Sequence, residues 1–322
     1  MGSTMKGLKN LVWLFGLQFS FSCADSSTTL SIATGGPAGL YYPIGGGMAS
    51  IWSAHVPGIN VRAEVTGGSV SNVIQVARGE SDLGIAMADV ISDAYKGEGL
   101  FPESLPLRVL LSAYPNVIHV VTVEKTNISS ISDLAGKRVS LGAQGSGTAV
   151  AAQNILSGLG FQESDYASRY LSFTETTAAL KDGAIDAGFI VGGIGISAIT
   201  DLAVSRPMRL IGLSKIESER LETSFPEYSR FTIPKGSYRG IEEDVDTLGI
   251  WSAVVVHESM EKDLVFRLVC NIYRHRDELK KISPAVEAMS FQNIDRFSAV
   301  PLHAGAAHFK NNRTDECESF ST

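Results

Sequence analysis

The sequence predicts an α/β protein of two similarly built lobes, each a mostly parallel sheet flanked by helices, joined by hinge crossings. Three observations carry this expectation. A pattern of strand, glycine-rich loop and helix occurs twice, about 105 residues apart. A second pattern, in which a glycine ends a helix and a tight turn leads into a short apolar run, also occurs twice in the same order. The 32 glycines cluster in short loops after apolar runs instead of forming a linker. An apolar fraction of 44% supports real cores, and 322 residues is long enough for two domains. With 34 acidic against 27 basic side chains, the net charge of −7 argues against a nucleic-acid partner, which calls for a basic stripe or patch. Polyanions and anionic membranes are disfavoured on the same ground.

The chain opens with Lys6 and Lys9, an apolar stretch from Leu11 to Phe21, and small residues at Ser22-Cys23-Ala24. This order describes a secretory signal peptide over residues 1–24, and the apolar stretch is too short to span a bilayer about 30 Å thick. Cys23 is alternatively the lipid-bearing residue of a lipoprotein. No later apolar run reaches 18 residues.

The first strand–loop–helix unit is Leu30–Ala33, Thr34-Gly35-Gly36 and the apolar segment Ile44–Trp52. The second is Arg138–Leu141, the loop Gly142 to Thr148, and a helix through Leu156. Gly79, Asp82 and Gly84 fall on Gly183, Asp186 and Gly188 at a constant offset of 104. Gly79 and Gly183 are each expected to end a helix, and the apolar run after each turn to be a buried strand. The repetition of Asp82 and Asp186 points to turn or cap work rather than catalysis. Ala187–Ile199, interrupted by Gly192, Gly193 and Gly195, reads as a strand followed by a loop. Thr247–Val256 reads as a further strand, leading into an amphipathic helix with Leu264, Leu268 and Ile272 on one face. The expected division is lobe I over 28–115 plus 235–322 and lobe II over 120–230, with crossings near 115–122 and 225–250. Cys270 and Cys317 either form a disulfide, which export permits, or remain a buried thiol and a free one.

A strand that runs through a glycine turn into a helix offers free backbone N–H groups at the positive end of the helix dipole, a place for an anion. Ser146 and Thr148 add two hydroxyl donors. Gly147 is expected to serve either a close approach or a positive φ. The loop is not a phosphate-binding P-loop, because Thr148 stands where the lysine belongs. Val150 breaks the dinucleotide pattern, and Gln144 and Thr148 occupy the outer positions that a nucleophile elbow gives to glycine. The six histidines are scattered, with His303 and His308 off the i, i+4 face. No metal or cofactor is expected, and no general base has an orienting partner. Asp89, after a strand end, either lines the cleft or caps the next helix.

These residues resemble a known family. Thr34-Gly35-Gly36-Pro37-Ala38-Gly39-Leu40-Tyr41-Tyr42-Pro43-Ile44-Gly45-Gly46 is similar to the opening signature of the TAXI family, the extracytoplasmic solute receptors of tripartite ATP-independent (TRAP) transporters. Thr66–Asn72, Ala86–Val90, Gly136–Thr148, Asp182–Gly193 and Pro301–Ala307 resemble its later motifs in order, although Met87 stands where the family often has Gln. The resemblance implies the two-lobed periplasmic-binding-protein fold, a periplasmic location, and lobe closure on a small organic anion such as glutamate, glutamine or 2-oxoglutarate. It implies a membrane permease as partner and no catalysis. Carried over by position, it assigns Gly36, Tyr41, Ser69, Asn72, Ala88, Asp89, Gly145, Ser146, Gly147, Thr148 and Gly193 to the cleft. Tyr41 and Tyr42 are adjacent, and alternation along an extended chain would turn only one of them to the ligand. An exported enzyme or a ligand-sensing module on the same scaffold are the alternatives.

Overall fold

The structure, a computed structural model, describes residues 1–2, 27–297, 299–312 and 317. The expected signal peptide and Cys23 lie outside the described residues. Lobe I begins with β1 (Thr28–Ala33), α1 (Tyr41–His55), β2 (Ile59–Glu64), α2 (Ser69–Arg78), β3 (Leu83–Met87) and α3 (Ala88–Lys96). The long β4 (Leu107–Val123) leads into lobe II, which holds β5 (Arg138–Ser140), α4 (Gly147–Gly158), β6 (Ala167–Arg169), α5 (Phe173–Asp182), β7 (Ala187–Gly192), α6 (Ser197–Ser205) and β8 (Met208–Ile211). After α7 (Lys215–Ser224) and β9 (Tyr228–Ile233), β10 (Val245–His257) returns to lobe I, which α8 (Lys262–Arg274), α9 (Arg276–Lys280) and α10 (Ala304–Asn311) complete.

The strands order as β2-β1-β3-β10-β4-β7-β5-β6, with β8 on β4 and β9 on β10. Within lobe I, β1 pairs in parallel with both β2 and β3; within lobe II, β5 does so with β6 and β7. Only strands that meet β4 or β10 pair antiparallel. Both long strands change partners midway. β4 leaves β10 at Val117 and continues against β7, while β10 pairs β9 up to Ile250 and β3 from Ser252. Pro115, which has no N–H to give a ladder, sits opposite Trp251 where the register shifts. β3 and β7 are buried along their whole length, as strands covered on both faces must be.

The internal repeat has a structural counterpart. Gly79 and Gly183 end α2 and α5 in the left-handed region, at φ 69° and 72°. Asp82 accepts the Ser31 N–H of β1 at 2.8 Å, and Asp186 accepts the Arg138 N–H of β5 at the same distance. Each aspartate thus pins a lobe's first strand to the turn before its third. Asp186 also pairs with the Arg138 guanidinium, which holds its carboxyl below the usual range. His303 accepts the Gly305 N–H and caps α10. Cys270 on α8 is bonded to Cys317, with Cα atoms 5.9 Å apart.

Candidate functional site

Where the lobes face each other they enclose a cavity of about 180 Å³, and the starts of five helices reach its wall. Leu40 and Tyr41 open α1, Gly68 and Ser69 open α2, and Met87 precedes α3. From lobe II, Ser146, Gly147 and Thr148 open α4, and Ser172, Phe173 and Thr174 open α5. Every one of these helices follows a strand or loop at the sheet's carboxyl edge, where α/β sheets bind ligands. No lining residue is charged.

α2 and α4, one from each lobe, meet at this wall with first-turn N–H groups unpaired within the chain. α2 has no side-chain cap, and the Ser69 and Val70 N–H groups make no hydrogen bond within the chain. In α4 the Ser146 hydroxyl accepts from Ala149 N–H at 3.1 Å and donates to the Ala143 carbonyl at 2.6 Å, leaving the Gly147 and Thr148 N–H groups unpaired. The Thr148 side chain is 4% exposed, faces the cavity and donates to nothing in the chain. α5 carries a capping box in which Glu175 takes the Ser172 N–H and Ser172 Oγ takes the Glu175 N–H, and its Phe173 and Thr174 N–H groups are likewise unpaired. The donors that α2 and α4 leave open lie at the junction of the two lobes, where Gly147 approaches Ser69.

That junction is tight. A Cβ on Gly147 would lie 2.7 Å from Ser69 Oγ and inside contact distance of Met87 Cε. Gly147 does not have a positive φ, so it serves the close approach and not a left-handed turn. Gly142 and Gly145 supply the positive φ values, 102° and 76°. Ser71 N–H donates to the Gly145 carbonyl at 3.2 Å across the cleft, and Ser197 Oγ to the Ala38 carbonyl at 3.2 Å.

Of the sequence-assigned residues, Gly36, Tyr41, Ser69, Ser146, Gly147 and Thr148 line the cavity. Asn72, Ala88, Asp89, Gly145 and Gly193 are not on its wall, and each has another place. Asn72 donates to the Thr34 and Ile85 carbonyls at 2.6 and 2.7 Å and accepts from the Thr66 hydroxyl, which ties β1, β3 and the 66–68 loop together. Ala88 is buried at the start of α3. Asp89 accepts from Val90 N–H and from the Tyr228 hydroxyl, which in turn accepts from Asn154. Burial pushes its carboxyl up to about 7, aided by Asp93 and Glu227. Gly145 offers its carbonyl to Ser71, and Gly193 gives room to Leu40 of the opposite lobe.

Tyr41 and Tyr42 lie in the first turn of α1, not in an extended chain. Tyr41 faces the cavity and its hydroxyl accepts from Asn116 Nδ2 at 3.2 Å; Tyr42 is 37% exposed. Burial holds the Tyr41 phenol well above its ordinary range. Asn116 and Ser172–Thr174 also line the cavity and were not foreseen. Asn116 is the one amide inside the apolar run of β4, and the Ser172-x-x-Glu175 spacing marks a helix start. Away from the cleft, His55, His275 and Glu278 approach within 4.8 Å, but the imidazoles stack at 3.7 Å and 11°. Stacked rings send their in-plane lone pairs side by side instead of to a common point.

Two α/β lobes, two exchanged strands and a cavity ringed by helix starts define the periplasmic-binding-protein fold. The chain belongs to the NMT1-like family, whose pattern matches residues 32–310. Among solved structures it is similar to a putative L-cystine ABC transporter protein from Listeria monocytogenes, with 14% identity, 80% of this chain and 95% of that chain covered, and a TM-score of 0.51. An ancestral arginine-binding protein bound to arginine matches at 12% identity over 81% and 99% of the two chains, with a TM-score of 0.52. XAC2383 from Xanthomonas citri bound to ATP matches at 12% identity over 90% and 100%, with a TM-score of 0.53. Such distant likenesses fix the fold and leave the ligand to the site.

Proposed function

We propose that the protein is an extracytoplasmic receptor that closes on a small organic carboxylate and delivers it to a membrane permease of the tripartite ATP-independent type. The observation that carries this reading is the meeting of two helix starts with unpaired first-turn N–H groups, one from each lobe, at a cavity whose wall includes the buried Thr148. Four unpaired N–H groups at two positive dipole ends suit a carboxylate. The TAXI resemblance supports the transport class and a ligand in the range of glutamate, glutamine and 2-oxoglutarate. Glycines at the lobe junction support closure as the binding motion.

Native mass spectrometry of protein isolated from its own cell envelope tests the reading. A co-purified small acid, released unchanged on denaturation and rebound in calorimetric titration, is the expected result. A reaction product in its place, or no saturable binding of any carboxylate, would overturn it.

A further inference from the structure

The charge of the cavity wall bears on which carboxylates it admits, given the receptor reading above. No aspartate or glutamate lines the cavity, and five helix starts present their positive ends to it. A carboxylate gains from that field, whereas an ammonium group is repelled by it and finds no anion to pair with. Asp89, whose field reaches the Tyr41 phenol, has its oxygens turned away to Val90 N–H and the Tyr228 hydroxyl. Asn116 spends its Nδ2 group on the Tyr41 hydroxyl and the Ile250 carbonyl. Opposite the α2–α4 junction the wall is apolar, from Pro37, Leu40, Phe173 and Val191.

We infer that the cleft selects carboxylates without an ammonium group, taking a 2-oxo or 2-hydroxy acid and rejecting the 2-amino acid of the same skeleton. The amino acid would bury a charge that meets only neutral acceptors such as Asn116 Oδ1 and no anion, whereas the oxo acid places a neutral oxygen there.

Calorimetric titration of the ligand-stripped protein with matched pairs tests this: 2-oxoglutarate against L-glutamate, 4-methyl-2-oxopentanoate against L-leucine, and pyruvate against L-alanine. In the tightest-binding pair the oxo acid is expected to win by about 100-fold, the scale of an uncompensated buried charge. An amino acid that binds within about tenfold of its oxo partner, or more tightly, overturns the inference and leaves the receptor reading standing. If no member of any pair binds while another carboxylate does, this inference falls and the receptor reading stands; if no carboxylate binds, both fall. Met87→Glu adds the missing anion at a lining position, and should shrink the oxo-to-amino ratio at least about tenfold; an unchanged ratio in the folded variant also counts against the inference.

Discussion

Gly147→Ala separates lobe closure from hydrogen bonding, because alanine keeps the N–H that a carboxylate would use. The added Cβ would stand 2.7 Å from Ser69 Oγ and 3.0 Å from Ser69 Cβ, and would meet Met87 Cε. Met87 can swing its terminal methyl away. Ser69 cannot, since it starts α2, is 2% exposed, and takes the Met87 N–H at 3.1 Å. Relief therefore requires the lobes to move apart. Overpacking of this kind costs about 1–3 kcal/mol, which converts to a roughly 5- to 150-fold weaker ligand affinity. On the closure reading the clash disappears when the lobes part, and alanine is at least as good a helix former as glycine. The unliganded protein should thus melt no lower than the parent. Titration of both proteins with the best-binding carboxylate, alongside thermal melts without ligand, checks the argument. An affinity within about twofold of the parent would refute closure through this contact, and a lowered melting temperature would place the cost in the fold instead.

Three further outcomes are expected. Thr148→Val keeps the packing against Gly142 and removes only the hydroxyl, so affinity for a carboxylate should fall roughly 10- to 100-fold by titration, with recovery in Thr148→Ser. Asp89 titrates near 7 when folded against 3.8 unfolded, so the folded state holds the extra proton and the parent loses stability as pH rises between those values. Asp89→Asn should flatten that decline, by at most about 3 kcal/mol between pH 5 and pH 8, in denaturant unfolding at the two pH values; parallel curves for parent and variant would refute it. Cys317→Ser opens a bond across a sequence separation of 47, which the chain-entropy account values at about 4 kcal/mol. Its melting temperature should fall while ligand affinity stays unchanged, because neither cysteine lines the cleft.

The duplicated construction was legible because glycine helix ends and the aspartates of the turns are local chemistry, repeated at one spacing. Gly79 and Gly183 adopt the left-handed φ that the pattern required, and Asp82 and Asp186 hold equivalent strands. The α4 loop was legible for the same reason. What motif position did not reveal was direction. Asn72 and Asp89 stand beside lining residues in the chain, yet α2 turns Asn72 toward β1 and β3, and α3 turns Asp89 toward Tyr228. Asn116 and Phe173 could not be assigned from local pattern, since their place depends on where β4 changes partner at Val117 and on how the opposed lobes meet.

The division of donors between the lobes has a consequence for how such a protein signals occupancy. α2 contributes Ser69 and Val70 N–H from lobe I, and α4 contributes Gly147 and Thr148 N–H with the Thr148 hydroxyl from lobe II. Either half alone presents two amides to an anion that still keeps most of its water. On the proposed reading a carboxylate is fully coordinated only when both halves meet, so that its desolvation would be offset by donors from both sides at once. The cross-lobe bond from Ser71 N–H to the Gly145 carbonyl forms at the same junction and involves no ligand. The closed arrangement thus has a small attraction of its own, worth about 1 kcal/mol for one neutral hydrogen bond. That is too little to keep the lobes shut against the loss of hinge freedom, and enough to favour closure once an anion occupies the two helix starts. On the proposed reading, a permease that recognises the closed form would respond to the ligand's charge through the amides of α2 and α4.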